Sequence, residues 1–186
     1  MTAGAHAGGR PALVLTVSDG VAAGVREDAS GAAVAERLVR HGYVVTRAVV
    51  ADDRAAIAAA IAAAADAPDG AGRADLVVTT GGTGLTPRDV TPEATLDAID
   101  RAVPGLAEAM RAAGRARTPM ADLSRAIVGA RGATLVVNLP GSPRGAVESL
   151  AAIEAVLPHA LDTLAGPYDH DRRGGTPARG EKGSGE

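Results

Sequence analysis

The chain of 186 residues contains no cysteine, no tryptophan and no phenylalanine. The first absence excludes a disulfide framework, a thiolate metal site and a cysteine nucleophile together. The other two leave Tyr43 and Tyr168 as the only phenolic or larger aromatic rings, so unpaired bases would find almost no stacking platform. Positive charge is also short. The formal net charge is -3, whereas a nucleic-acid binder needs a basic face to displace counterions. No apolar run reaches the roughly 18 residues of a membrane span. Residues 1–10 are Gly/Ala-rich without the apolar stretch of a secretory signal. The expected address is the cytoplasm, and neither nucleic acid nor membrane is an expected partner.

Lysine is nearly missing too: Lys182 stands alone in the C-terminal tail. Of four histidines, only His41 and His159 lie in the body of the chain. His41 sits beside a helix-ending glycine and His159 on the last helix, and both read as structural. Chemistry in the core must therefore use carboxylates, hydroxyls, arginines and backbone amides.

What is present is an alternation of short apolar runs and helical segments. The length suits one domain, whose folding hides roughly 70% of the unfolded chain's surface. Residues 12–17 read as a strand buried on both faces and ending at Ser18-Asp19. Residues 30–41 read as a helix stopped by Gly42, and 43–50 as a β-branched strand. Asp52-Asp53 caps an alanine-rich helix to about residue 65, a packing surface, and 67–74 form a loop. A third strand, 76–80, runs into Gly81-Gly82-Thr83-Gly84. Residues 92–101 read as a helix with Thr91 as N-cap and Pro92 at its first position. Another helix spans 104–114. Residues 126–131 and 134–139 suggest an antiparallel pair about Gly132. After Pro140-Gly141-Ser142-Pro143 comes one final amphipathic helix, 145–164. From residue 166 the composition is Gly, Pro and charge, which reads as disorder. The fold class is α/β, a mostly parallel sheet with helices on both faces. One domain covers 11–166, with disordered tails at 1–10 and 167–186.

In such sheets ligands bind beyond the carboxyl ends of the strands. Most of the polar punctuation falls there: Ser18-Asp19, Asp52, the Gly81–Gly84 loop with Asp89, and residues 138–143. Glycines let backbone amides approach phosphate oxygens, although the loop alone reads equally as a tight turn. It is not a P-loop, because Leu85 follows Gly84 where that motif needs lysine. It also lacks the third glycine of a dinucleotide fingerprint. Asp89 beside a phosphate cradle would repel the ligand unless Mg²⁺ lay between them; the competing reading is a helix cap, for which Thr91 is better placed. Asp52 and Asp53 are each able to cap, and Asp19 alone is an ordinary turn aspartate. Three acidic strand ends on one edge nonetheless suggest a divalent-metal site. Arg125, after Ser124, can grip phosphate bidentately or simply be solvated. Pro140-Gly141-Ser142-Pro143 is a second backbone cradle or a plain turn.

Taken in order, the segments 16–19, 28–31, 79–84, 88–93, 123–125 and 138–143 resemble the MogA/MoaB family of molybdenum cofactor biosynthesis proteins. The resemblance spans about residues 11–166. It implies a three-layer molybdopterin-binding fold, often homotrimeric or of higher homo-oligomeric order. It implies a reaction in which molybdopterin and ATP give adenylyl-molybdopterin and pyrophosphate, with Mg²⁺ as cofactor. By position, Asp52 and Asp89 correspond to the family's metal-binding catalytic aspartates. The implied substrate contacts are Ser18, Asp19, Gly81, Gly82, Thr83, Gly84, Thr91, Ser124, Arg125, Pro140, Gly141 and Ser142. The molybdenum-insertion enzyme is an implied partner. A non-catalytic molybdopterin carrier on the same fold is the alternative.

Overall fold

The computed structural model describes residues 9–68 and 72–166. Strand β1 (Arg10–Val17) leads through a short helical turn, α1 (Asp19–Ala22), to helix α2 (Ala29–Arg40). Strand β2 (Tyr43–Val50), helix α3 (Arg54–Asp66), strand β3 (Leu76–Thr80) and helix α4 (Thr91–Ala98) follow. Then come β4 (Arg101–Ala102), α5 (Pro104–Arg115), a 3₁₀ turn (Pro119–Leu123), β5 (Val128–Arg131), β6 (Thr134–Leu139), α6 (Pro143–Ile153) and α7 (Leu157–Ala165).

The strands form one six-stranded sheet in the order β2-β1-β3-β6-β5-β4. The four strands β2, β1, β3 and β6 are parallel, and β5 and β4 continue antiparallel. Every residue of β3 and β6 is buried, as continuous apolar runs in a doubly covered sheet should be. Successive side chains serve opposite faces. Val14, Leu76, Val78, Leu135 and Val137 pack with Val34 and Leu38 of α2, Met110 of α5, Leu150 of α6 and Leu161 of α7. Leu15, Val77 and Val136 pack on the other side with Ile57 and Ile61 of α3 and Ala94 of α4. The result is three layers, helices–sheet–helices. Among the described residues no helix is long and apolar enough to cross a membrane.

Four local expectations change. The first strand starts at Arg10, two residues early, because Arg10 and Pro11 pair with Tyr43 and Val44. Residues 1–8 and 167–186 of the expected tails lie outside the described residues. Helix α4 ends at Ala98, and Arg101 and Ala102 pair with Ala130 and Gly129 as a short edge strand. The expected final helix is two helices broken at residues 154–156. Pro158 lies at the second position of α7, where its missing N–H is harmless; within one continuous helix it would remove a hydrogen bond and clash with the preceding turn. The expected N-cap Thr91 is instead the first residue of α4, after Val90, with no side-chain cap.

Candidate active site

The four parallel strands all end at one edge, and the loop after β3 occupies its middle. Gly81 has φ +100° and Gly82 φ +62°, a region that favours glycine. A Cβ on Gly81 would lie 2.3 Å from the Val17 carbonyl oxygen, so the loop bends hard against the end of β1. Thr91, fully buried, holds it from beneath. Its hydroxyl donates to Gly81 O at 2.9 Å and its amide to Gly82 O at 3.1 Å. This explains why a residue with a capping side chain caps nothing: its oxygen serves the loop.

Two carboxylates bracket this loop. The Asp52–Asp53 ambiguity resolves by geometry, since the Asp53 side chain accepts the Ala56 amide at 2.8 Å as cap of α3. Asp52 turns instead towards the glycines, and its Oδ1 lies 3.4 Å from where a Cβ on Gly82 would be. Asp89 likewise caps no helix. Its Oδ2 accepts the Thr86 amide at 2.7 Å and lies 3.1 Å from a Cβ position on Gly84. Burial pushes the Asp89 carboxyl up, but hydrogen bonds from Thr86 and Gly84 and the charge of Arg125 outweigh it and hold the group below its ordinary value. It is ionised at neutral pH.

The third acidic strand end has another use. Asp19 and Asp52 exchange amide-to-carboxylate hydrogen bonds, and Arg88 pairs with Asp19 Oδ2. The Asp52 amide and Arg88, against a smaller effect of burial, lower the Asp19 carboxyl. Among the described residues no three histidine, aspartate or glutamate side chains assemble as a metal cage. The expected trio of acidic strand ends is thus a positioned pair plus an ion pair.

A cleft of about 400 Å³ opens on the Asp52 side of the loop, lined by Ser18, Arg26, Ser30, Asp52, Gly82 and Gly141 among others. The first turns of α2 and α6 face it through Ala29, Ser30 and Pro143, offering the positive ends of two helix dipoles to an anion. Helix α2 comes this close because Gly31 has no side chain. A Cβ there would lie 2.3 Å from Thr16 Oγ1 and 2.4 Å from Asp28 Oδ2. A second cleft, about 280 Å³, opens on the other side of the loop. Thr83, Gly84, Ser124 and Ser142 face Met120 and Leu123 across it. One loop therefore separates a phosphate-suited cleft from a cleft with an apolar wall.

Residues 13–159 match the family model described as "Probable molybdopterin binding domain". The chain belongs to this molybdopterin-binding family. The molybdopterin adenylyltransferase of Helicobacter pylori is 39% identical over 160 residues, which are 83% of this chain and 88% of that protein. The molybdenum cofactor biosynthesis bifunctional protein of Synechococcus elongatus is 44% identical over 160 residues; the match covers 86% of this chain but only 48% of that protein. Among solved structures, the molybdopterin biosynthesis enzyme MoaB of Thermus thermophilus superposes with a TM-score of 0.76 at 48% identity, covering 85% of this chain and 98% of that one. The molybdopterin biosynthesis Mog protein of Mycobacterium ulcerans gives 0.77 at 40% identity, with 83% and 99% covered.

Within this molybdopterin-binding domain the expected contacts divide three ways. Ser18, Gly81, Gly82, Asp52 and Gly141 line the first cleft, and Thr83, Gly84, Ser124, Pro140 and Ser142 line the second. Asp19, Asp89, Thr91 and Arg125 line neither. The Arg125 guanidinium, expected to face phosphate, donates instead to Gly84 O, Asp89 O and Glu93. Residues that the sequence places in its motifs without a site role lie beneath the loop. Ser30 Oγ bonds Thr80 Oγ1 at 3.0 Å. Asn138, fully buried, donates to Thr79 Oγ1 at 3.0 Å and Thr95 Oγ1 at 2.8 Å and accepts the Ile127 amide at 3.2 Å. The one available signal for Asn138 was a polar residue near the end of an otherwise apolar strand.

Proposed function

We propose that this chain is a molybdopterin adenylyltransferase, joining AMP from ATP to the terminal phosphate of molybdopterin and releasing pyrophosphate. One observation carries the reading: Asp52 and Asp89 flank successive glycines of a single amide-rich loop between two clefts. The names of family members such as the Helicobacter pylori enzyme agree with it.

The donor set fits Mg²⁺. Two hard carboxylates stand at the loop margins, no thiolate is present, and no complete protein cage is needed. Mg²⁺ takes one or two carboxylates and fills its shell with water and phosphate oxygens. Asp52 and Asp89 would hold the ion, which would supply charge neutralisation at the transferring phosphate. The protein's own part is placement. The loop amides and the first turns of α2 and α6 receive phosphate oxygens, and the buried hydroxyls keep those elements in register. A phosphate oxygen of molybdopterin forms the new bond to the α-phosphorus of ATP, the bond from that phosphorus to the bridging oxygen breaks, and pyrophosphate leaves. The nucleophile is already anionic at neutral pH, so no histidine base is required and preorganised electrostatics do the work.

Residues 11–166 suffice as the catalytic domain in this reading. A homotrimer, contact with a molybdenum-insertion enzyme and a cytoplasmic location, where ATP is abundant, belong to the same proposal. The test is pyrophosphate release from Mg-ATP with and without molybdopterin. Release that depends on molybdopterin is the expected result. Tight molybdopterin binding without release would replace the enzyme with a carrier, and release from ATP alone would make it a hydrolase.

A further inference from the structure

The segment carrying Asp89 has little regular structure of its own. Residues 84–88 are bends and turn, and Leu85 is 65% exposed. What fixes it comes from a distant part of the chain. Arg125 Nε donates to Gly84 O at 2.7 Å, its Nη2 to the Asp89 carbonyl oxygen and its Nη1 to Glu93 Oε1. The Arg125 amide adds a bond to Thr83 O at 3.0 Å. One residue thus holds the start of the segment, its end and the first turn of α4.

We propose that Arg125 is a positioning residue: its guanidinium fork, aligned by Glu93, fixes the main chain at Gly84 and Asp89 and so aims the Asp89 carboxylate at the bound nucleotide phosphates. Its catalytic half rests on the adenylyltransferase reading; its structural half rests on geometry alone.

Three observations separate this from an ordinary surface ion pair. First, each of the three guanidinium nitrogens is engaged by Gly84, Asp89 or Glu93, so the group acts through the loop and not by touching substrate. Second, the two carbonyls and the carboxylate are served by three nitrogens of one rigid plane. A lysine ammonium is a single point charge on a flexible stem and cannot reproduce that arrangement. Third, Glu93 Oε2 is shielded from solvent and has no hydrogen-bond partner among the described residues. An unpartnered carboxylate oxygen is costly, and Glu93 retains it while its other oxygen orients the guanidinium. Burial pushes the Glu93 carboxyl up, but the Arg125 bond and the charges of Arg125 and Arg54 prevail and keep it ionised.

The experiment compares the full chain with Arg125→Lys and Glu93→Gln, by melting, amide hydrogen exchange and turnover. Thr86 N donates to Asp89 Oδ2, and Asp89 N to Thr86 O, so these two amides report the segment's order. In Arg125→Lys they should exchange about ten-fold faster, while Val77 and Val78 of the buried strand keep their wild-type rates. Turnover should fall by about 100-fold, the scale of a 1 Å misplacement. In an Asp89→Asn background the same substitution should cost less than about three-fold, since coupled residues are not additive. Unchanged exchange in both variants overturns the strap, whether or not the protein is active. A full loss repeated in the Asp89→Asn background overturns action through Asp89. Faster exchange in a chain whose wild type shows no turnover supports the strap and removes the enzymatic reading. Should Arg125→Lys fail to fold, Glu93→Gln, which keeps both backbone contacts, is read in its place with smaller changes in the same direction.

Discussion

Asp19 and Asp52 hold each other through the main chain: the Asp52 carboxylate accepts the Asp19 amide at 2.8 Å, and the Asp19 carboxylate accepts the Asp52 amide at 3.0 Å. The exchange joins the exits of β1 and β2, so the direction of Asp52 is set by its neighbour. Replacing Asp19 with alanine releases the Asp52 amide while leaving the Asp52 charge. We expect turnover to fall roughly ten-fold, a modest misorientation on the scale of positioning effects, with an almost unchanged melting temperature. Asp19→Asn keeps an acceptor for the amide and should stay near wild type. Equal kinetics for all three proteins would remove Asp19 from the site.

Asp52→Asn and Asp89→Asn keep shape and acceptors but lose charge. Each should lower molybdopterin-dependent pyrophosphate release by about 100-fold or more, the usual scale for a key electrostatic group. Molybdopterin binding, followed by equilibrium titration, should persist in both. Wild-type release in either variant would exclude that aspartate from the mechanism.

Gly81→Ala tests the bend. The added methyl meets a backbone oxygen at 2.3 Å from a residue at φ +100°, and neither partner is a flexible side chain. Strain of this kind costs roughly 3 kcal/mol, or about 6–12 °C in Tm for a domain of this size. Thermal melting is the measurement, and a shift under 2 °C would mean the loop relaxes freely.

Asn138→Leu removes the partner of three groups at once: the Thr79 and Thr95 hydroxyls and the Ile127 amide. Buried polar groups left unsatisfied cost about 1–3 kcal/mol each before relaxation. A total loss of about 3 kcal/mol in denaturant titration is expected. The double change Thr79→Val with Thr95→Val in the same background should recover part of it.

Acid stability should depend on Asp28. Burial raises its carboxyl, but bonds from Arg47, the Gly31 amide and Thr16 together hold it below its ordinary value. A depressed folded-state value contributes stability that is fully present above the unfolded value and is lost as pH falls through the folded one. Wild-type stability should therefore decline below about pH 4. Asp28→Asn should be less stable at pH 7 and flatter across that acid limb. Parallel curves for the two proteins would show that Asp28 contributes nothing.

The sheet, the glycine loop and an acidic residue near each margin were legible because their signals are local: apolar runs, clustered glycines and strand-end aspartates. What escaped was non-local. Asp52 and Asp53 carry the same letter, and only the orientation of α3 decides which one caps it. Thr91 reads as a cap because its hydroxyl invites one, yet the carbonyl it reaches is Gly81 O, ten residues back. Arg125 reads as a phosphate ligand or a solvated residue, and its actual role is hidden because two of its three partners are backbone carbonyls, which have no sequence signature. The Ser30–Thr80 and Thr79–Asn138 bonds span 50 and 59 residues, beyond any periodicity. The break before α7 was hidden because apolar residues continue through it, and Glu154 at the break is held from α2 by Arg37 at 2.7 and 2.8 Å.

Tyr43 begins β2 beside Arg10, at the end of the sheet opposite the glycine loop. It is 9% exposed, and burial raises its phenol. With no tryptophan in the chain, a Tyr168→Phe variant would leave Tyr43 as its one tyrosine, and light absorbed near the cleft would come from the bound pterin or adenine themselves. Tyrosine emission of that variant would meanwhile report on packing at the far pole. Folding and occupancy can thus be followed in one cuvette at separate wavelengths, without attaching a dye.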